Sequence, residues 1–380
     1  MDGFSFTRVL AVLAKEFTQL TRERLTYAMI LLIPIMQLLL FGYAINNDPK
    51  NLPTAVLVQD QGRFARSTLA ALKATGYFDI VAAVRTPAEL DRMMSRGDIQ
   101  FAVTIPADFT RRLVRRDRPQ LLVEADASDP AATGGAVAAL ANLANEALKH
   151  DLDGALGPTA AAPPPFEVVV HRRYNPETIT AYNIVPGLLG VILTLTLVMM
   201  TALGVTRERE RGTMESLLAT PVLPLEVMVG KLSPYVIVGL IQTVVVLTCA
   251  RGLFDVPMAD SFAGWSALTV GSLLFIVGSL ALGFLISTVA KSQLQAMQMT
   301  FFYMLPSILL SGFAFPFRGM PGWAQALGTI LPVTHFLRVV RGALLKGESF
   351  GDMTSSLGAL VLFVLAVSTL AMIRYRTTLD

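Results

Sequence analysis

Apolar residues occur in two patterns along this chain: long uncharged runs over most of it, and short alternating bursts over about one third. The long runs predict membrane helices, because ~20 uncharged apolar residues match ~30 Å of hydrocarbon. Measured between charges, they fall near Tyr27–Ile45 and Ile184–Thr206, between Lys231 and Arg251, and between Asp260 and Lys291. Two more cover Met297–Phe315 and the gap between Asp352 and Arg374. Six spans are expected.

Residues 319–337, GMPGWAQALGTILPVTHFL, form another uncharged window. Pro321, Gly322 and Pro332 interrupt it, and a lipid-exposed helix cannot easily satisfy a broken backbone. Short re-entrant or interfacial helices are therefore expected. Charge agrees with this count. Six spans put both termini on one side, with Arg8, Lys15, Arg22, Arg24, Arg207, Arg209, Arg211, Lys231, Lys291, Arg374 and Arg376. Short segments on the other side carry only Arg251, Arg318, Arg338, Arg341 and Lys346, so both ends are expected in the cytoplasm. Residues 1–26 place Phe6, Val9, Leu10, Leu13, Phe17 and Leu20 at helical spacing, the pattern of an amphipathic interfacial helix before a first span at 27–46. That first run is span-length and no small-residue cleavage motif follows it, so no cleaved signal peptide is expected.

The alternating bursts lie in residues 47–178. TAVLVQD (54–60), IVAAV (80–84), IQFAVTIP (99–106) and PQLLVEA (119–125) read as short strands, with helical stretches between and after them. After AAAPPP (160–165), FEVVVHRRY reads as a last strand leading back to the membrane. Strand–helix alternation predicts an α/β sheet. Over half of the charged residues fall in this third of the chain, so it reads as a soluble domain outside the membrane. The arginine-rich RRLVRRDR (111–118) reads as a solvated helix face, with Asp108 and Asp117 beside it. The expected fold is thus an α-helical polytopic membrane protein with six transmembrane helices and an inserted α/β extracytoplasmic domain, followed by a five-span domain over 179–380.

Composition supports this class. The chain has 380 residues, 53% of them hydrophobic and 16% charged, below the ~25% charged of soluble domains. A net charge of +3 gives no reason to expect nucleic acid, and the lone Cys249 excludes an internal disulfide or a multi-cysteine metal site. Neither His150 nor His171 has metal-ligand spacing, so no metal is expected. No Gly-x-Ser-x-Gly elbow is present, and Gly230-Lys231 lacks its phosphate-loop partner because Leu225 occupies the upstream glycine position. The predicted spans hold no ionisable residue, which argues against an ion-coupled carrier. Their polar groups are amides and hydroxyls: Asn183, Gln242, Thr243, Gln293, Gln295 and Gln298. Such groups glue helices more often than they line a path for cargo; both readings stand for Asn183, Gln242, Thr243 and Gln298.

The densest charge sits between two apolar runs, in RERERGTMESLLATP (207–221). Arg207–Glu210 and Glu208–Arg211 have the i,i+3 spacing of helical ion pairs, so the second span is expected to continue into water. Gly212 breaks that helix, Thr213 caps a short new one, Glu215 suits its N-terminal end, and Pro221 stops it. Met214, Leu217 and Leu218 beside Glu215 fit a partner's groove; an amphipathic anchoring loop accounts for the same pattern.

NIVPGLLGVILTLTLVMMTALGVTRERERGTMESLLATPVLPLEVMVGK (183–231) resembles the core signature of the type-2 ABC transporter permease family. The resemblance extends to AVLVQDQGRFARS, VTIPADFTRRL and LPVTHFLRVVRGALLKG, and specifically to the subgroup with a large extracytoplasmic insertion after the first span. It implies a permease subunit of an exporter in the bacterial inner membrane, moving drugs, lipids or other amphipathic molecules. Two such permeases, identical or homologous, would pair in the lipid, each docking a separate subunit that binds ATP and Mg. Gly212–Thr220 would then be the coupling helix, with Arg207, Glu208, Arg209, Glu210 and Arg211 leading into it. Residues 4–24 would be the elbow helix and 319–346 the re-entrant helices, and a periplasmic adaptor is a further partner for the outer domain. The alternatives are a secondary carrier and a membrane receptor or scaffold using that domain. Uncharged spans count against the first, and the number of spans against the second.

Overall fold

The computed structural model describes residues 49–148, 151, 164–210 and 224–374. The interfacial helix and first span expected over 1–46 lie outside them. The described part begins with the α/β unit, in which every expected strand forms. These are β1 (Leu52–Val58), β2 (Phe78–Ala83), β3 (Phe101–Ile105), β4 (Gln120–Asp126) and β5 (Glu167–Arg173). Helices α1 (Arg63–Ala74), α2 (Pro87–Ser95), α3 (Phe109–Val114) and α4 (Pro130–Glu146) connect or follow the first four.

The sheet runs β2-β1-β3-β4-β5. β1 is parallel to β2 and β3, β4 is antiparallel to β3, and β5 is parallel to β4. β1 and β3 are buried on both faces, which explains why TAVLV and FAVTI are continuous apolar runs rather than alternating ones. One face packs Val56, Phe78, Phe101, Val103 and Leu121 with residues of α1, α3 and α4; the other packs Ala55, Leu57 and Ala102 with Leu90 and Met94 of α2. Arg111 and Arg115, around α3, are exposed, in keeping with a solvated face.

Asn175 turns the chain from sheet to bundle. Its side chain accepts from Ile179 N at 2.9 Å and donates to Ile179 O at 3.0 Å, just before α5 (Thr180–Glu210). Then follow α6 (Pro224–Phe254), α7 (Phe262–Val289), α8 (Gln293–Leu310), α9 (Gly322–Gly328), α10 (Pro332–Arg341) and α11 (Thr354–Arg374). Among the described residues, four helices are long and apolar enough to cross a membrane: α5, α6 over Lys231–Phe254, α7 and α11. They match four of the six expected runs. The run expected over Met297–Phe315 falls on α8, which stops at Leu310 before Gly312 with its positive φ of 84°. Its 18 residues span about 27 Å, and it is not among those four. The window at 319–337 is broken as its prolines require: Pro321 precedes α9 and Pro332 opens α10.

α7 lies at the centre. Phe275 stacks on Phe336 of α10 with ring centroids 4.2 Å apart, among Leu193, Leu268, Val340 and Leu357. Against α5 it presents Gly283, where an added Cβ would lie 2.6 Å from the Val198 carbonyl oxygen and 2.8 Å from Thr201 Cβ. Backbones that close tolerate no side chain. By contrast, α6 leaves Ile237, Ile241 and Val244 at least 58% exposed on one face, as a helix bathed in hydrocarbon would.

Gly283→Leu should therefore destabilise the bundle by at least ~1–3 kcal/mol, read as a lowered melting temperature in detergent. Gly358→Ala is the control. It has no atom within 4 Å of the new Cβ, so it should be neutral or stabilising.

Candidate functional site

Two polar clusters stand out against the apolar bundle. The first is the end of α5. Thirty-one residues at 1.5 Å each make a helix about 46 Å long, well beyond the hydrocarbon thickness, and all of its charges gather in its last turn. That turn is Arg207–Glu210, and it is tied to two other helices. Glu208 forms an ion pair with Lys231 of α6. Arg207 Nε donates to Gln293 Oε1 at 3.2 Å, while Gln293 donates through its backbone N to Glu210 at 2.8 Å and through its side chain to the same carboxylate. Arg209 Nη1 reaches the Ala290 carbonyl at 3.4 Å.

This corrects the expected intrahelical pair. Arg207 and Glu210 do not bond to each other; Gln293 bridges them. The two hydrogen bonds from Gln293 hold the Glu210 carboxyl below its ordinary range. Gln293 and Gln295 are only half-buried, although Gln293 does link α8 to α5. They belong to the first turn of α8, where Ser292 Oγ accepts from Gln295 N at 3.2 Å and Gln295 Oε1 accepts from Lys291 N at 2.6 Å. This is a variant of the reciprocal capping box. The remaining residues of the expected coupling segment, Arg211, Gly212, Thr213, Glu215, Leu217, Leu218 and Pro221, lie outside the described residues, as does the expected Glu208–Arg211 pair.

The second cluster joins the α/β unit to the helices. Asp126, at the end of β4, pairs with Lys346 at 2.6 Å, and Arg96 after α2 pairs with Asp352 at 3.1 Å. Arg318 donates to Gly97 O at 3.0 Å, and Asn183 of α5 donates to Asp129 at 3.3 Å. Asn183 thus sits where α5 meets the α/β unit. Thr243 bonds to Gly239 O within its own helix, Gln242 Oε1 is buried without a partner, and Gln298 is half-buried on α8. No hydrogen bond among the described residues joins any two of these four. Sequence reading missed Asp126, Asp129, Lys346 and Glu348. The available signal was the helical spacing of Arg338 and Arg341 before Lys346.

A bundle of long apolar helices with an α/β unit inserted, and charge confined to helix ends, defines a multi-pass helical membrane protein. The profile described as "ABC-2 family transporter protein" matches residues 24–373. Curated relatives span its length. "Probable multidrug ABC transporter permease YbhR" of Escherichia coli (strain K12) is 29% identical over 98% of this chain and 99% of its own length. "Probable multidrug ABC transporter permease YbhS" of the same strain is 30% identical over 90% of both chains. "Inner membrane transport permease YhhJ", again from that strain, is 26% identical over 77% of both. The chain belongs to the ABC-2 transporter family, as a membrane-spanning permease subunit of an ABC exporter.

Two measurements test the junction. The Lys346 and Asp126 side chains are only 10% and 7% exposed, so Lys346→Met strands a buried carboxylate. A loss of about 3 kcal/mol or more is expected, largely recovered when Asp126→Asn is added, as measured by thermal unfolding in detergent. Glu348 has its carboxyl pushed up to about 7, by burial above all and by the nearby Asp352, Asp126 and Asp98, against the pull of Lys346. Its proton binds more tightly folded than unfolded, so it adds stability that is complete below about 4.5 and lost as pH rises toward about 7. The melting temperature should step down across that window, and Glu348→Gln should shrink the step.

Proposed function

We propose that this permease forms the membrane half of a transporter whose ATP is bound and hydrolysed by a separate subunit, and that the segment after Arg207–Glu210 receives that subunit's push. The observation carrying this reading is the α5 tip. It gathers the helix's charges, is braced against α6 and α8, and precedes Gly212–Thr220 in the sequence. A braced tip passes force into three helices at once. On this reading Leu217 and Leu218 seat in a groove of the ATP-binding subunit, with Glu215 at the N-terminal end of the coupling helix.

In the full arrangement the chain crosses the inner membrane six times, with the first span at 27–46 and the fifth on α8. Both termini are cytoplasmic, and 47–178 lies on the opposite, extracytoplasmic side. α9 and α10 enter the bilayer and return without crossing. Two copies, or one copy and a close homologue, enclose the path. A periplasmic adaptor on the α/β unit would extend it. The relatives named as multidrug permeases and the apolar bundle both favour an apolar or amphipathic cargo. An ion-coupled carrier is disfavoured, because the four long apolar helices hold charge only at their ends.

The test is uncoupling without unfolding. Leu217→Asp and Glu215→Arg should leave membrane insertion and expression near normal while co-purification of the ATP-binding subunit, or cargo-stimulated hydrolysis, falls at least tenfold. Arg115→Ser, on the exposed face of the α/β unit, should change neither. Full association and full export by both coupling variants would reduce the segment to an anchoring loop.

A further inference from the structure

Between the α/β unit and the α10–α11 region lies a cavity of about 220 Å³, separate from the α5 tip. Its lining includes Arg341, at the end of α10, whose Nη1 donates to the Gly312 carbonyl at 3.2 Å. The other edge of that guanidinium is different: Nε and Nη2 are both buried and have no hydrogen-bond partner among the described residues. Those two N–H groups lie side by side, the fork that accepts a carboxylate or phosphate with two parallel hydrogen bonds. Leaving such donors unmet in a buried site is costly.

The charge balance favours an anion. Lys346 is matched by Asp126 and Arg96 by Asp352. That leaves three guanidinium groups against two carboxylates. Arg318 is held by Gly97 O, Arg338 lies over the Phe317 ring, and Arg341 keeps its free edge. Opposing them are Asp129, which accepts from Asn183 and attracts Arg341 electrostatically without a hydrogen bond to it, and Glu348. Burial pushes both carboxyls up, Glu348 to about 7, so the excess of positive charge grows as pH falls. Gln100 Oε1, buried and also without a partner on the same lining, offers an acceptor for an O–H on the ligand.

We propose that this junction cavity binds an oxyanion, a carboxylate or phosphate group, seated on the Nε–Nη2 edge of Arg341. The cavity, about 220 Å³, has room for one such group with several waters. The group arrives either as a small soluble anion or as the head of an amphiphile whose tail extends out of the cavity.

Binding is measured by calorimetry and thermal shift on the full chain in uncharged detergent, without nucleotide or the ATP-binding subunit. The result is then independent of coupling. The probes are inorganic phosphate, dodecyl phosphate, decanoate and, as a control, dodecyltrimethylammonium. Anions should bind and raise the melting temperature, and the cationic amphiphile should not. Dodecyl phosphate binding at least tenfold tighter than inorganic phosphate identifies an amphiphile head; equal affinity identifies a soluble anion. Arg341→Lys keeps the charge but not the fork, and should weaken binding at least tenfold. The exposed Arg115→Lys should change nothing. If Arg341→Lys fails to fold, Arg318→Gln decides, with roughly threefold weaker binding expected. No anion binding in any arm, equal binding of the cation, or unweakened binding in the deciding variant would overturn the proposal.

Discussion

Hydrocarbon offers a charged group neither water nor counter-ion, and the layout of the helical part follows from that penalty. α7, α8 and α9 hold no Asp, Glu, Lys or Arg, while α5 and α11 carry theirs only in the last turn. Two clusters of polar residues join elements distant in sequence. Arg207–Glu210 tie α5 to Lys231 and Gln293. Asp126, Asp129 and Arg96 tie the α/β unit to Lys346, Asn183 and Asp352. Between these clusters, small residues and stacked rings carry the packing, as at Gly283 and Phe275–Phe336.

The buried Lys346–Asp126 pair contributes little net stability because desolvation offsets most of the attraction, and the more exposed Arg96–Asp352 pair contributes little because water screens it. What they supply is direction. An α/β unit resting on apolar side chains alone could slide by a residue with little loss. One held through Lys346–Asp126 and Arg96–Asp352 loses two charge pairs if it shifts by a few ångströms. The same reasoning applies to Gln293, which accepts from Arg207 and donates to Glu210 and so fixes the rotation of α5 relative to α8.

Much of this architecture was legible in the sequence because it depends on local periodicity. TAVLV, FAVTI and the runs of α5, α7 and α11 carry their own burial pattern, and the prolines at 321 and 332 announce a break whatever surrounds them. The junction was not legible. Asp126 and Lys346 are separated by 220 positions, and nothing in DASDP or GALLKG specifies the other. Gln293 was misread for a related reason: an uncharged side chain beside an apolar run looks embedded, and only the fold shows it at a helix start facing two charges. α8 ended early because the αL turn at Gly312 is a backbone property that apolar counting ignores.

Both clusters grip the same helix. α5 carries Asn183 near one end and Arg207–Glu210 at the other, with Pro186 inside it close to the Asn183 end. An unbroken helix resists bending, so its length behaves as a stiff rod of about 46 Å. A tilt of about 5° about one end displaces the other by about 4 Å, more than the length of a hydrogen bond. The missing backbone donor at Pro186 puts the softest point of that rod beside the Asn183–Asp129 contact. Leverage generated at the charged tip is therefore concentrated where the helix meets the α/β unit.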